Sequence, residues 1–127
     1  MFETAMFLDL MEKVVRKCHR TSTQKGFWGD TPDAGYNFAE KIALIHSELS
    51  EWLEAHRSGY AHLPTDKPVK VIDGGEVRVV TNEEEEAADI FIRLADLCGK
   101  RGIDLGRVVL AKMEYNETRP HKHGKGY

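Results

Sequence analysis

The chain has 127 residues, 41% of them hydrophobic, with 18 basic against 21 acidic side chains and a formal charge of -3, which suits one domain over 1–127 and leaves too little apolar content for a second core. The acidic balance excludes a general nucleic-acid coat protein, and no apolar run approaches the length of a membrane span or forms a signal peptide. Two cysteines, Cys18 and Cys98, without CxxC spacing, exclude a disulfide framework and a zinc knuckle and fit a reduced, cytoplasmic setting.

From about Phe2 to His19, the residues Phe2, Met6, Leu10, Val14 and Cys18, reinforced by Phe7, Met11 and Val15, recur at helical spacing, which predicts a first amphipathic helix. The stretch TSTQKGFWGDTPDAG, with Pro32, reads as a loop. Its aromatics Phe27 and Trp28 either plug the end of the core or bind; Trp28 is the residue expected to stack on a base. A second helix is expected from about Asn37 to His56, with Asn37 as N-cap, Glu40 in a capping-box position and Gly59 beyond its end. Ile42, Ile45, Leu49, Trp52 and Leu53 form its apolar stripe. Glu48 falls on the border of that stripe, Glu51 lies next to Leu44 and Ala55, and Glu54 points further toward solvent.

Helical periodicity vanishes between Tyr60 and Thr81. Within that stretch VKVIDGGEVRVV places β-branched residues on both sides of Asp73-Gly74-Gly75, which predicts a short hairpin around residues 69–80. A hairpin alone is marginal, so it must pack on the helices or a partner, as a lid or as a decorated connection. A third helix begins near Thr81 or Asn82, and Glu83 to Glu86 in its first turns complement the helix dipole. Asp89 lies a full turn further in, where the dipole offers no explanation. Ala87, Ile90, Phe91, Leu94, Leu97 and Cys98 make one apolar face and Ala88, Ile92 and Ala95 another, so this helix should be covered on two sides, which points to a subunit interface. After a break at Gly99 and Gly102 a fourth helix is expected from Ile103 to about Thr118, ended by Pro120, and residues 118–127 form a basic tail.

Glu48 with Glu51, and Glu86 with Asp89, stand three residues apart inside apolar helical segments. Residues at that spacing share a helix face, so each pair offers two carboxylates at one point. Packed together, four carboxylates repel one another unless a divalent cation or shared protons compensate, which predicts a Mg²⁺ or Mn²⁺ site. A matching negative ligand is suggested by the basic cluster of Lys112, Arg119, Lys122, His123 and Lys125 with the neutral donor Asn116. Lys112, Asn116 and Arg119 share one helix face, and their donors suit phosphate oxygens.

With these motifs the chain resembles the MazG-like all-alpha nucleoside triphosphate pyrophosphohydrolases, relatives of the dimeric dUTPases. The resemblance rests on SELSEWLEAHR, EEAADIFIRLADL, the KxxxNxxRP segment followed by KHGKGY, and GFW upstream. It runs from about Gly26 to Tyr127, and the 60–81 segment is longer and more strand-like than the family's short connection. The resemblance implies an all-α bundle of four to five helices, assembly as a homodimer or homotetramer, and Mg²⁺-dependent hydrolysis of a nucleoside triphosphate, a deoxynucleotide by preference, to monophosphate and pyrophosphate. It places Glu48, Glu51, Glu86 and Asp89 as metal-binding catalytic residues, with Glu51 accepting the proton of the attacking water. It gives Lys112, Asn116, Arg119, Lys122 and Lys125 the phosphates. Glu85 precedes Glu86, and Glu86 is chosen because it alone stands three before Asp89. The alternative is a non-catalytic helical module that binds nucleotide or metal and oligomerises. A di-iron bundle is disfavoured because neither acidic motif is followed by His at the required offset, and His121 with His123 make a weak metal site.

Overall fold

The computed structural model describes residues 3–31 and 34–124. Among them are four α-helices, α1 (Thr4–Gln24), α2 (Phe38–Arg57), α3 (Asn82–Arg101) and α4 (Leu105–Glu117), an antiparallel hairpin of β1 (Lys70–Asp73) and β2 (Glu76–Val79), and a 3₁₀ turn, His121–Gly124. The expected helical class and hairpin are therefore present. The chain divides into two compact units: residues up to Lys25 with those from Ala95 onward form one, and Gly26–Leu94 the other.

In the first unit α1 is longer than its apolar periodicity indicates. It runs through the Thr-Ser-Thr-Gln stretch read as loop, and within its last turn Thr23 Oγ1 donates back to the His19 carbonyl at 2.8 Å. The predicted helix start at Phe2 lies outside the described residues. α3 likewise passes through Gly99, where the sequence predicts a break, and stops before Gly102 at φ 68°. Gly99 is small for a packing reason: a Cβ there would stand 2.8 Å from His19 Cβ. Gly106 does the same in the first turn of α4, where a Cβ would stand 2.9 Å from Met11 Cβ. The buried residues of this unit include Ala95, Leu97 and Cys98. α4 is capped by Asp104, whose side chain accepts from Arg107 N at 3.2 Å.

In the second unit Asn37 caps α2 as expected, accepting from Glu40 N at 3.1 Å. Thr81 caps α3 reciprocally: its Oγ1 accepts from Glu84 N at 3.2 Å, and Glu84 Oε1 accepts from Thr81 N at 2.9 Å. Two contacts lace α2 to the first half of α3 in antiparallel register: Trp52 Nε1 donates to Glu83 Oε1 at 3.0 Å and Arg93 Nε donates to Glu48 Oε1 at 2.9 Å. The hairpin pairs Lys70 with Val79 and Asp73 with Glu76, so Gly74 and Gly75, at φ 61° and 85°, form the two-residue turn. The segment that leads from α2 toward the hairpin docks on the start of α3. Asn82 N donates to the Leu63 carbonyl, Glu83 N to the Ala61 carbonyl, and Asn82 Nδ2 to the carbonyls of Tyr60 and Leu63. Arg78 grips Glu84 with both terminal nitrogens, at 2.7 and 2.8 Å.

No large side chain is fully buried among the described residues. Met6, Leu10 and Val14 along α1, Leu49 and Leu53 along α2, and Ile72 and Val77 across the hairpin are all exposed.

Candidate metal centre

The i,i+3 spacing carries Glu48 and Glu51 on one side of α2 and Glu86 on the facing side of α3. One carboxylate oxygen from each of Glu48, Glu51 and Glu86 lies within 4.8 Å of the other two. Glu48 is 7% exposed and Glu86 half-buried, whereas Glu51 is exposed. Glu48 Oε1 is held by Arg93, but Glu48 Oε2 and Glu86 Oε2 are buried without a hydrogen-bond partner. Burying charged oxygens unsatisfied is costly, and here the cost appears as proton affinity. Desolvation, a hydrogen bond toward Glu48 and repulsion from Glu51, Glu48 and Asp89 push the Glu86 carboxyl up from 4.5 to about 7.

Asp89 stands apart from this triad of oxygens but within its field. Burial, then the charges of Glu48 and Glu85, raise its carboxyl, while Lys67 and Arg93 oppose the rise. Glu85 faces elsewhere: Thr65 Oγ1 donates to one of its oxygens and Lys67 Nζ to the other, and these bonds, the one from Lys67 foremost, hold its carboxyl below the usual range. Of the two neighbouring acids, Glu86 is thus the one that meets Glu48 and Glu51.

Hard oxygen donors of this kind suit Mg²⁺ or Mn²⁺. The two orphaned, buried carboxylate oxygens are what a divalent ion would satisfy, so the residues fit such a group: Glu48, Glu51 and Glu86 as ligands, with Asp89 one helical turn along from Glu86.

The other predicted residues fall as follows. Trp28 is 5% exposed, edge-on to Tyr36 with ring centroids 5.0 Å apart and with the Lys41 ammonium 4.5 Å from its ring centre. It is buried within its unit, and of the two loop aromatics the one that offers surface is Phe27, 61% exposed. Lys112 and Asn116 lie one turn apart on α4, in the other unit, whereas Arg119, expected on the same helix face, falls beyond the Thr118 C-cap because the helix ends at Glu117. Lys112 Nζ and the Arg119 guanidinium lie 4.6 and 5.4 Å from the Tyr115 ring centre, and Asn116 Oδ1 is buried without a partner. Lys122 is exposed in the 3₁₀ turn, and Lys125 lies outside the described residues.

Sequence reasoning missed Arg93, Thr65 and Lys67. Arg93 was findable, standing four residues after Asp89 and seven after Glu86 on the same helix. Thr65 and Lys67 sit in an irregular segment whose spacing carries no signal.

No family model, no curated protein and no solved structure matches this chain.

Proposed function

We propose that this chain is a MazG-like nucleoside triphosphate pyrophosphohydrolase, Mg²⁺-dependent, acting as a homodimer or homotetramer in the cytoplasm. The observation that carries the reading is the convergence of Glu48, Glu51 and Glu86 with two buried oxygens left without donors. Electrostatic frustration of that kind in a protein's resting fold is a mark of a site built for a missing cation.

When bound, Mg²⁺ supplies charge screening for the triphosphate and acidifies a water. The protein's own groups supply the rest. Glu48, fixed by Arg93, and Glu86 hold the charge that fixes the ion, with Asp89 adding to it from the next turn. Glu51, the exposed member, accepts the proton of the attacking water at a carboxylate oxygen. Oxygen from that water joins the α-phosphorus, the bond to the α,β-bridging oxygen breaks, and pyrophosphate departs. The motif assigns phosphate contacts to Lys112, Asn116, Arg119, Lys122 and Lys125, and the approach of both Lys112 and Arg119 to the Tyr115 ring supports grouping those two cations. The oligomer is supported by the exposed apolar rows on α1 and α2, which a second copy would cover.

The test is pyrophosphate release from a panel of canonical and modified ribo- and deoxynucleoside triphosphates, with Mg²⁺ and with chelator. Glu48→Ala and Asp89→Ala should abolish release while far-ultraviolet dichroism stays helical. Activity retained in both variants refutes the site. Hydrolysis of no nucleotide by the wild type would leave the binding-module reading in its place.

A further inference from the structure

We propose that Lys67, delivered by the 60–81 insertion, is a substrate-binding residue whose ammonium takes a phosphate oxygen at the edge of the acidic pocket. The inference rests on the metal-dependent triphosphate reading above and adds to it a residue that no motif contains.

The insertion is fastened where it matters. Thr65 N donates to the Val80 carbonyl and Val80 N to the Val69 carbonyl, both at 2.9 Å, and Pro64 bridges Thr81. Those bonds fix the chain on either side of Lys67 against Val80 and Thr81, the residues that lead into α3. Lys67 N lies 3.4 Å from Thr65 Oγ1, and Thr65 is itself buried against Glu85. The ammonium therefore reaches Glu85 from a defined backbone position instead of sweeping through solvent.

Glu85 is one turn before Asp89 on the same face of α3, so the ammonium that touches Glu85 also acts on Asp89. Lys67 and Arg93 are both cations whose charge acts on that acid. Arg93 is committed to Glu48. Lys67 is not used up in this way: its side chain is 62% exposed while that of Glu85 is 10% exposed. An ammonium has three donors, and one carboxylate oxygen engages one of them. A triphosphate drawn to an ion held by Glu48, Glu51 and Glu86 meets repulsion from each carboxylate, Asp89 included, that the ion does not neutralise. A cation held in place by a buried acid, with donors to spare, offsets that repulsion without any ordering of a long side chain on binding.

The experiment titrates the full chain with Mn²⁺ alone, then the Mn²⁺-loaded protein with inorganic tripolyphosphate, by calorimetry, in wild type, Lys67→Met and Lys67→Arg. The expected result is Mn²⁺ affinity within about twofold of wild type in all three and tripolyphosphate affinity at least about tenfold weaker in Lys67→Met, largely restored in Lys67→Arg. If Lys67→Met melts well below wild type, Lys67→Gln replaces it, since the amide keeps a donor for Glu85 and removes only the charge. Tripolyphosphate binding unchanged in the neutral variant, with only its melting temperature lowered, assigns Lys67 to structure and overturns the inference. Wild type that takes up Mn²⁺ but no tripolyphosphate overturns it too and leaves the metal site standing. Wild type that takes up no Mn²⁺ removes the metal reading itself, and the inference with it.

Discussion

Replacing Glu86 with Gln should make the metal-free protein more stable at about pH 8. The Glu86 carboxyl sits at about 7 in the fold against 4.5 ordinarily, from burial and from the acids around it. The folded state therefore holds that proton more tightly than the unfolded chain does. Stability from this group is fully present below 4.5, declines as pH rises toward 7, and stays low above. The full difference amounts to about 3 kcal/mol at roughly 1.4 kcal/mol per pH unit. Solvent reaching the half-buried carboxyl reduces it to about 1–2 kcal/mol. The Gln amide removes the charge and keeps a donor beside Glu48, so the variant should melt roughly 5–10 °C above wild type in chelator at about pH 8, and level with it near pH 4.5. Mg²⁺ reverses the order: at a hundredfold excess over its Kd it stabilises wild type by about 2.7 kcal/mol and the variant far less. Scanning calorimetry at fixed protein concentration, with and without Mg²⁺, reads all four conditions. A variant that melts below wild type at about pH 8 in chelator refutes the claim that Glu86 is strained by its neighbours.

Three further outcomes follow from the packing. Gly106→Ala places a Cβ 2.9 Å from Met11 Cβ, so it should cost about 1–3 kcal/mol in urea unfolding despite the better helix former, and a neutral or stabilising result would mean that α1 can give way. Arg78 holds the Glu84 carboxyl down at about 2, so the stability this pair contributes is present above 4.5 and lost as pH falls toward 2; Arg78→Met should flatten acid unfolding over that interval, and an unchanged profile would discount the pair. Leu10→Asp, on the exposed row of α1, should lower the sedimenting mass and leave helicity intact, whereas wild type that sediments as a single chain argues that the row is not an interface.

Periodicity carried the reading of the helices because helix formation is local: Asn37, Thr81 and the stripe of α2 announce themselves in sequence. Helix ends were less legible. Gly99 reads as a breaker, yet it lies inside α3 because His19 needs the space, a contact made by residues eighty positions apart in the chain. The acids were legible because a metal needs several of them, and spacing records that need. The spacing to Asp89 favoured Glu86 over Glu85, but what turns Glu85 away, the donors of Thr65 and Lys67, left no trace in the sequence. Trp28 illustrates the limit in the other direction, since an aromatic in a glycine-rich loop reads the same whether it greets a ligand or closes a core.

The hairpin closes on itself within ten residues, and its tip, Gly74-Gly75, is exposed. Entry and exit are clamped at Thr65, Val69 and Val80, so length added or removed at the tip need not propagate to the chain carrying Lys67. That makes Lys70–Val79 a natural port for engineering: a dye, an affinity sequence or a shortened turn could be installed there, and the chemistry of the acids read out with the reporter in place.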